Sequence, residues 1–429
     1  EAGGETVEFT LASLTYDLLR SWTGIRPPWG KMTGVRPVRL IHDKRAAGWT
    51  EADIDRFFLE RFDCSRQKYD MAKAIADLQE PILKLGSAPK TYSLYLGIPF
   101  CPSRCSYCSF VSCNLDRDRK LVQPYVDCLC REVEAIREQA DKAGLKLCSI
   151  YIGGGTPTSV NAQQLRQLMG TMAEQFDLPA LEEFTVEAGR PDCTDEEKLR
   201  IIKEYGATRI SINPQTFSDE VLHNIGRRHT AQDILDCYRT ARRVGHDNIN
   251  MDLIAGLPGD TVEGFRHSLQ TAIDLDPENI TVHTLTLKRA SNLVVEHRAA
   301  DYADVAAMVE SCELLEKAGY RPYYLYRQKG TLQNLENVGW CKPGYECLYN
   351  IYIMEEVHTI LSAGAGGSTK LVAPGARHGK IERIFNYKYP TEYIDRFDTI
   401  LARKEGVKQF YDQYPSCGES ARAQAHGGV

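Results

Sequence analysis

From Tyr92 onward, short β-branched or apolar runs alternate with longer amphipathic stretches. The runs Tyr92–Ile98, Leu147–Ile152, Glu183–Glu187, Thr208–Asn213, Asn248–Ile254 and Asn279–Thr286 are short and β-branched or apolar, and read as strands. Between them, 118–143, 161–176, 195–205, 231–244 and 261–275 carry helical spacing, as Leu199, Ile202 and Tyr205 illustrate, and 301–317 follows as a further helix. Six strand–helix units in sequence predict an α/β fold with a parallel sheet covered by helices. Residues 1–90 read instead as polar helices around a Gly/Pro/Trp-rich turn region, Gly24 to Pro37. Thr50-Glu51-Ala52-Asp53 forms a capping box at one helix start. Past Tyr320, Arg321–Arg327 reads as a strand and Ile353–Leu361 as a helix closed by Gly364, Gly366 and Gly367. The small, polar stretch from about Ser416 reads as a disordered tail.

Composition narrows the function classes. Of 429 residues, 43% are hydrophobic and 26% charged, ordinary globular values, and the net charge of −6 gives no global signal for nucleic acid. No apolar run approaches the roughly 20 residues that span a bilayer. Fourteen cysteines with no hydrophobic leader ahead of them point to a reducing cytoplasm, with thiols kept for metal or packing. Cys128, Cys130, Cys148, Cys193 and Cys237 fall inside helix or strand patterns and read as core.

Cys101, Cys105 and Cys108 stand in a C-x3-C-x2-C spacing directly after the first strand, on a loop stiffened by Pro99 and Pro102. A zinc knuckle would want a second paired Cys or His, and none is near. Closely spaced thiolates on one loop suit several irons of one iron–sulfur cluster, and three ligands for four irons leave one iron open for chemistry. Other polar residues recur at strand ends. Gly153-Gly154-Gly155-Thr156-Pro157-Thr158 follows the second strand, Glu187 ends the third, Gln215 follows the fourth and Asp252 sits near the end of the fifth. The glycines bring backbone close to a ligand, and without the lysine of a P-loop they suit an amino-acid moiety better than a phosphate. Carboxylates and amides there can take ribose hydroxyls or an ammonium, and Arg227 a carboxylate. Active sites of barrel-like α/β folds lie on that rim.

The cysteine loop, the triple-glycine Thr-Pro turn and Asp252-Leu253-Ile254-Ala255-Gly256-Leu257-Pro258-Gly259 resemble the radical S-adenosylmethionine (SAM) superfamily. More narrowly they resemble its oxygen-independent coproporphyrinogen III oxidase/dehydrogenase group, to which Tyr95-Leu96-Gly97-Ile98-Pro99-Phe100-Cys101 is also similar. Val186-Glu187-Ala188-Gly189-Arg190-Pro191, Ser211-Ile212-Asn213-Pro214-Gln215-Thr216 and Gly226-Arg227-Arg228-His229 resemble the HemZ-like branch. The resemblance covers roughly residues 90 to 330.

It implies a partial (β/α)6 radical SAM barrel over 91–330, with a helical N-terminal extension over 1–90. A short C-terminal extension over 331–415 packs on the barrel, and the tail covers 416–429. It implies a [4Fe–4S] cluster on Cys101, Cys105 and Cys108, and SAM held by Tyr95, Gly154, Gly155, Thr156, Glu187, Gln215, Arg227 and Asp252. The implied activity is oxidative decarboxylation of coproporphyrinogen III propionates to vinyls, giving protoporphyrinogen IX in anaerobic haem biosynthesis. The partners are this tetrapyrrole and a reducing donor such as flavodoxin or ferredoxin. Arg209, Arg228, Lys288, Arg289 and Arg327 are candidate cations for the propionates. Well-studied members of the group carry a further cysteine two residues past the third ligand, where this chain has Phe110. Two alternatives therefore stand beside the oxidase: a haem-binding chaperone of the same family, and a methyltransferase or haem-degrading enzyme acting on a tetrapyrrole. The chaperone's His-Asn-x-x-Tyr-Trp motif has only Tyr349-Asn350-Ile351-Tyr352 as an analogue. Cys341 and Cys347 are candidates for an auxiliary cluster, Cys113 reads as structural, and His229, His283 and His358 are candidate haem or acid–base groups.

Overall fold

The computed structural model describes residues 6–34, 36–86, 90–110, 112–288, 291, 293, 304–374 and 380–414. The six expected strands all form, in the expected order: β1 (Thr91–Ile98), β4 (Lys146–Gly154), β5 (Glu183–Glu187), β6 (Arg209–Ser211), β7 (Ile249–Ala255) and β8 (Asn279–Thr284). Each pairs in parallel with the next. Nearly every position along them is buried, as a parallel sheet covered on both faces requires. Between β1 and β4, two short strands, β2 (Phe100–Cys101) and β3 (Cys113–Asn114), pair in parallel and bracket the cysteine loop.

The covering helices follow the periodicity. Val122–Lys142 buries Val122, Tyr125, Val126, Leu129, Val133, Ile136 and Ala140, an inner face at three- and four-residue steps. Capping boxes start Glu51–Arg56 (Thr50 with Asp53), Ala162–Gln175 (Asn161 with Gln164) and Ala231–Val244 (Thr230 with Asp233). The helix expected over 301–317 is two short ones, Val305–Glu310 and Glu313–Lys317, and residues 301–303 lie outside the described residues.

The sheet extends beyond these six strands at both edges. β9 (Arg321–Arg327) and β10 (Glu336–Cys341) continue it antiparallel from β8. On the other side the expected helix Ile353–Leu361 is corrected. The helix runs Leu348–Glu355, Glu356 turns the chain in the left-handed region, and β11 (Thr359–Ala363) lies parallel to β1. β12 (Ser368–Val372) and β13 (Ile381–Phe385) follow antiparallel, giving eleven strands in the order β13-β12-β11-β1-β4-β5-β6-β7-β8-β10-β9. A five-residue apolar run fits a helix as well as a strand, and the vacant edge of β1 decides for a strand. The tail from Ser416 lies outside the described residues.

The N-terminal helices sit on the β9–β10 side. Trp29 donates Nε1–H to Glu336 at 2.7 Å, and Gln79 donates to the Tyr323 carbonyl at 2.9 Å. Behind β1, Tyr125 donates to the Gly97 carbonyl at 2.6 Å, so the helix Val122–Lys142 anchors the strand that delivers the cysteines. No described helix is long and apolar enough to cross a membrane.

Candidate functional site

The cysteine loop leaves β1 through β2 and is held from four directions. Cys108 N–H donates back to the Cys105 carbonyl at 3.1 Å, closing the loop locally. Ser106 N–H donates to Ile225 at 3.0 Å, and the Ser103 hydroxyl donates to the Gly226 carbonyl at 2.8 Å. Arg190, beyond β5, donates to the Ser103 carbonyl at 2.9 Å. The turn after β4 supplies the fourth support: Gly155 N–H donates to Ile98 at 2.8 Å and Thr156 N–H to Phe100 at 2.9 Å. A Cβ on Gly155 would lie 2.7 Å from Phe100 O and 3.0 Å from Cys101 Sγ, so only glycine lets these backbones touch. Thr156 Oγ1 sits 3.6 Å from Cys101 Sγ.

One cavity of about 430 Å³ opens on this rim. Cys101, Cys105 and Cys108 line it, together with all eight residues named for SAM: Tyr95, Gly154, Gly155, Thr156, Glu187, Gln215, Arg227 and Asp252. Of the candidate substrate cations, Arg209 and Lys288 line it too. Arg228 is exposed and paired with Asp116 at 2.6 Å, outside the cavity. Arg327 is committed to the Met32 and Gly34 carbonyls at 2.8 and 3.2 Å, and Arg289 lies outside the described residues.

Each strand end sets its side chain differently. Glu187 accepts a hydrogen bond from Tyr151 at 2.6 Å, and burial pushes its carboxyl up to about 7, against that bond and with the Asp252 charge. Gln215 turns the chain at φ +68°, a left-handed value unusual outside glycine. It is locked there because its N–H donates to Asp252 O at 2.8 Å and its carbonyl accepts Ile254 N–H at 3.0 Å. Asp252 is flanked by Asn250, donating at 2.7 Å, and by His283 at 3.8 Å. Burial would raise its carboxyl, yet these neighbours hold it below the ordinary range. Arg227 is buried; its Nη1 donates to Asn213 O at 2.6 Å and its Nη2 to Tyr107 at 3.3 Å, while its Nε has no partner.

Sequence reasoning missed part of the lining. Tyr151, Asn250, Tyr324, Tyr326 and Asn350 all face the cavity. Tyr95, Tyr151 and Tyr349 stack, with Tyr151 and Tyr349 centroids 4.5 Å apart. Tyr151 had a signal: like Tyr95, it lies two residues before a glycine near the end of its strand. Tyr324, Tyr326 and Asn350 had none, since closing the cavity with β9 and the helix Leu348–Glu355 is a long-range event. Phe110, 66% exposed, sits at the cavity rim.

Other candidates lie elsewhere. Cys341 and Cys347 are fully buried in a tyrosine-rich core, where burial pushes both thiols up and Cys347 Sγ lies 3.4 Å from Glu183. They sit there as packing residues. Cys113 anchors β3, with its N–H on Pro99 O at 2.7 Å. His358 stacks on Tyr352 at 4.5 Å, away from the cavity; His283 faces into it.

The donor set fits a cluster with an attached ligand. Among the described residues no three His, Cys, Asp or Glu side chains are close enough to share one metal ion. Cys101, Cys105 and Cys108 are free thiols that line one cavity, a donor set that could serve three irons of one cluster. The glycine-lined backbone beside them and the unpartnered Arg227 Nε suit a small ligand bearing a carboxylate and an amine.

Residues 95–272 match the family described as the radical SAM superfamily. The oxygen-independent coproporphyrinogen-III oxidase-like protein HemZ of Bacillus subtilis (strain 168) is 40% identical over 409 residues, 93% of this chain and 80% of that protein. The heme chaperone HemW of the same organism is 41% identical over 339 residues, 77% of this chain and 85% of its own length. Among solved structures, the coproporphyrinogen III oxidase HemN from Escherichia coli superposes with a TM-score of 0.57 at 22% identity. The match covers 76% of this chain and 73% of that one, and shows a shared fold.

Proposed function

Because this chain belongs to the radical SAM superfamily, in the HemZ-like branch of the oxygen-independent coproporphyrinogen III oxidase group, we propose that it is an oxidoreductase acting on coproporphyrinogen III. It would convert two propionate side chains to vinyls with loss of CO2, giving protoporphyrinogen IX. Proteins of this superfamily bind a [4Fe–4S] cluster and SAM. One-electron reductive cleavage of SAM supplies a 5′-deoxyadenosyl radical that removes hydrogen from a substrate.

In this reading Cys101, Cys105 and Cys108 hold the cluster. Gly154, Gly155 and Thr156 offer backbone to the amino-acid end of SAM, and Arg227 pairs with its carboxylate. Glu187, Gln215 and Asp252 take its polar groups along the rim, with Tyr95 beside them. Arg209 and Lys288 are the cations placed to meet a propionate. The observation that carries the reading is that all thirteen residues line one cavity. In the family this reaction draws on a one-electron donor such as flavodoxin or ferredoxin.

The test is an anaerobic assay of reconstituted protein with reductant, SAM and coproporphyrinogen III, read by product mass. Two successive losses of formic acid equivalents are expected, each one CO2 plus two hydrogens. SAM cleavage without decarboxylation would remove the substrate assignment and leave the radical chemistry.

A second reading, a haem-binding chaperone, is favoured by Phe110 in place of a cysteine and by the identity to HemW. Haemin titration separates the two: a stoichiometric Soret shift with no turnover of coproporphyrinogen supports the chaperone.

A further inference from the structure

Arg190 is 4% exposed and lies beneath the cysteine loop, yet the proposed reaction gives it no part. Its five N–H bonds can be followed one by one. Nε donates to Asp192 Oδ1 at 3.0 Å, and Nη2 to Asp192 Oδ2 at 2.7 Å and to the Ser103 hydroxyl at 2.9 Å. Nη1 donates to the Ser103 carbonyl at 2.9 Å, and its second hydrogen has one acceptor, Cys105 Sγ at 3.9 Å. No donor is left over for a bound ligand, although the guanidinium lines the cavity. Asp192 fixes the fork from behind and is itself backed by His229 Nδ1 at 3.4 Å, on a side chain 1% exposed. The Ser103 hydroxyl passes the hold on to Gly226 at 2.8 Å.

We infer that Arg190 is a positioning residue that orders the C-x3-C loop and sets the reduction potential of the cluster through its N–H···S contact with Cys105. The inference rests on the cluster reading of the three cysteines. The physical reason is electrostatic. Reduction adds negative charge to the cluster and its sulfurs, and a fixed cationic donor in a buried site favours the reduced form. Asp192 opposes that effect by partly neutralising the guanidinium while holding it in place. Arg227, held by Asn213 and Tyr107, also carries its charge beside Cys105, a contribution common to the wild type and to variants at Arg190 and Asp192.

The test is the cluster midpoint potential, from a redox titration of reconstituted full-length protein without SAM, followed by electron paramagnetic resonance. Arg190→Gln should move the midpoint to lower potential, and Arg190→Lys, which keeps the charge, should move it less. Asp192→Asn should move it the opposite way, to higher potential. A residue with only a scaffolding role would lower iron content in all three variants and leave the midpoint of the remaining cluster unchanged, which overturns the inference. Where Arg190→Gln assembles no cluster, the direction of the Asp192→Asn shift decides. A wild-type protein that takes up no iron–sulfur cluster overturns the cluster reading and this inference with it, whereas a shifted midpoint in a protein inactive on coproporphyrinogen leaves the inference standing.

Discussion

Tyr151 on β4 donates its phenol hydrogen to Glu187 Oε1 on β5 at 2.6 Å, across neighbouring parallel strands and inside the cavity. The bond orients the carboxylate, while burial raises its ionisation to about 7. Unfolded, a glutamate ionises near 4.3. The folded protein therefore keeps a proton that the unfolded chain has lost, and this group's contribution to stability falls as pH rises from about 4 to about 7. A ribose hydroxyl donates to the ionised form. Affinity for S-adenosylhomocysteine should rise between pH 6 and pH 8, by up to about tenfold, and Glu187→Gln should flatten that rise. Calorimetric titration across the range checks both; an unchanged slope in the variant would sink the assignment.

Gly155→Ala places a methyl group 2.7 Å from Phe100 O and 3.0 Å from Cys101 Sγ. The two nearest neighbours, Phe100 O at 2.7 Å and Phe100 N at 2.9 Å, are backbone, so the loop must shift. Iron and sulfide content after reconstitution should drop severalfold, and the visible absorption of the cluster with it. Gly170→Ala is the control. Its Cβ meets only the Tyr205 hydroxyl, at 3.6 Å within a helix, where alanine is favoured by roughly 0.5–1 kcal/mol.

In the proposed reading, serine at Cys101, Cys105 or Cys108 should abolish cluster assembly, since each removes one of three thiolate ligands. Serine at Cys113, Cys341 or Cys347 should leave iron content at the wild-type level. Loss of iron in the Cys341 or Cys347 variants, with the fold intact by circular dichroism, would restore the auxiliary-cluster reading.

Lys404 and Glu132 form a buried ion pair at 2.6 Å, with side chains 1% and 0% exposed. Glu132 also accepts Gly364 N–H at 2.8 Å and the Tyr393 hydroxyl at 2.6 Å. Lys404→Met leaves a buried carboxylate without its counter-charge, at a cost of about 3–5 kcal/mol. The denaturation midpoint should fall accordingly. A matched change at Glu132, giving Glu132→Leu with Lys404→Met, should recover part of the loss, because two buried charges go together.

Much of the fold was legible in this sequence, and so were many of the residues that line the cavity. A strand's burial on both faces writes itself as a short apolar run, and a helix's inner face as a step of three or four. Six strands and most of their covering helices could therefore be read in order, though not to the residue at their ends. The polar residues that break those runs were readable because they stand out against apolar neighbours, at or beyond a strand end for Glu187 and Gln215 and in mid-strand for Asp252. Cys101, Glu187, Gln215 and Asp252 are such interruptions. The run Thr359–Ala363 was not legible, because its state depends on the open edge of β1, more than two hundred residues away.

What the sequence determined by itself is chemistry carried by adjacent residues: the thiol spacing, the glycine turn, the capping boxes and the alternation that builds the sheet. What only the tertiary structure decided is which distant groups meet. It brings Arg190 under Cys105, sets Tyr151 on Glu187, closes the cavity with Tyr324 and Tyr326, and removes Arg228 and Arg327 from it. The physical reason is the range of the forces recorded in a local pattern. Periodicity reports backbone hydrogen bonding and burial within a few residues. The partner of a buried guanidinium is set by where the folded sheet places its neighbours, and no local spacing encodes that.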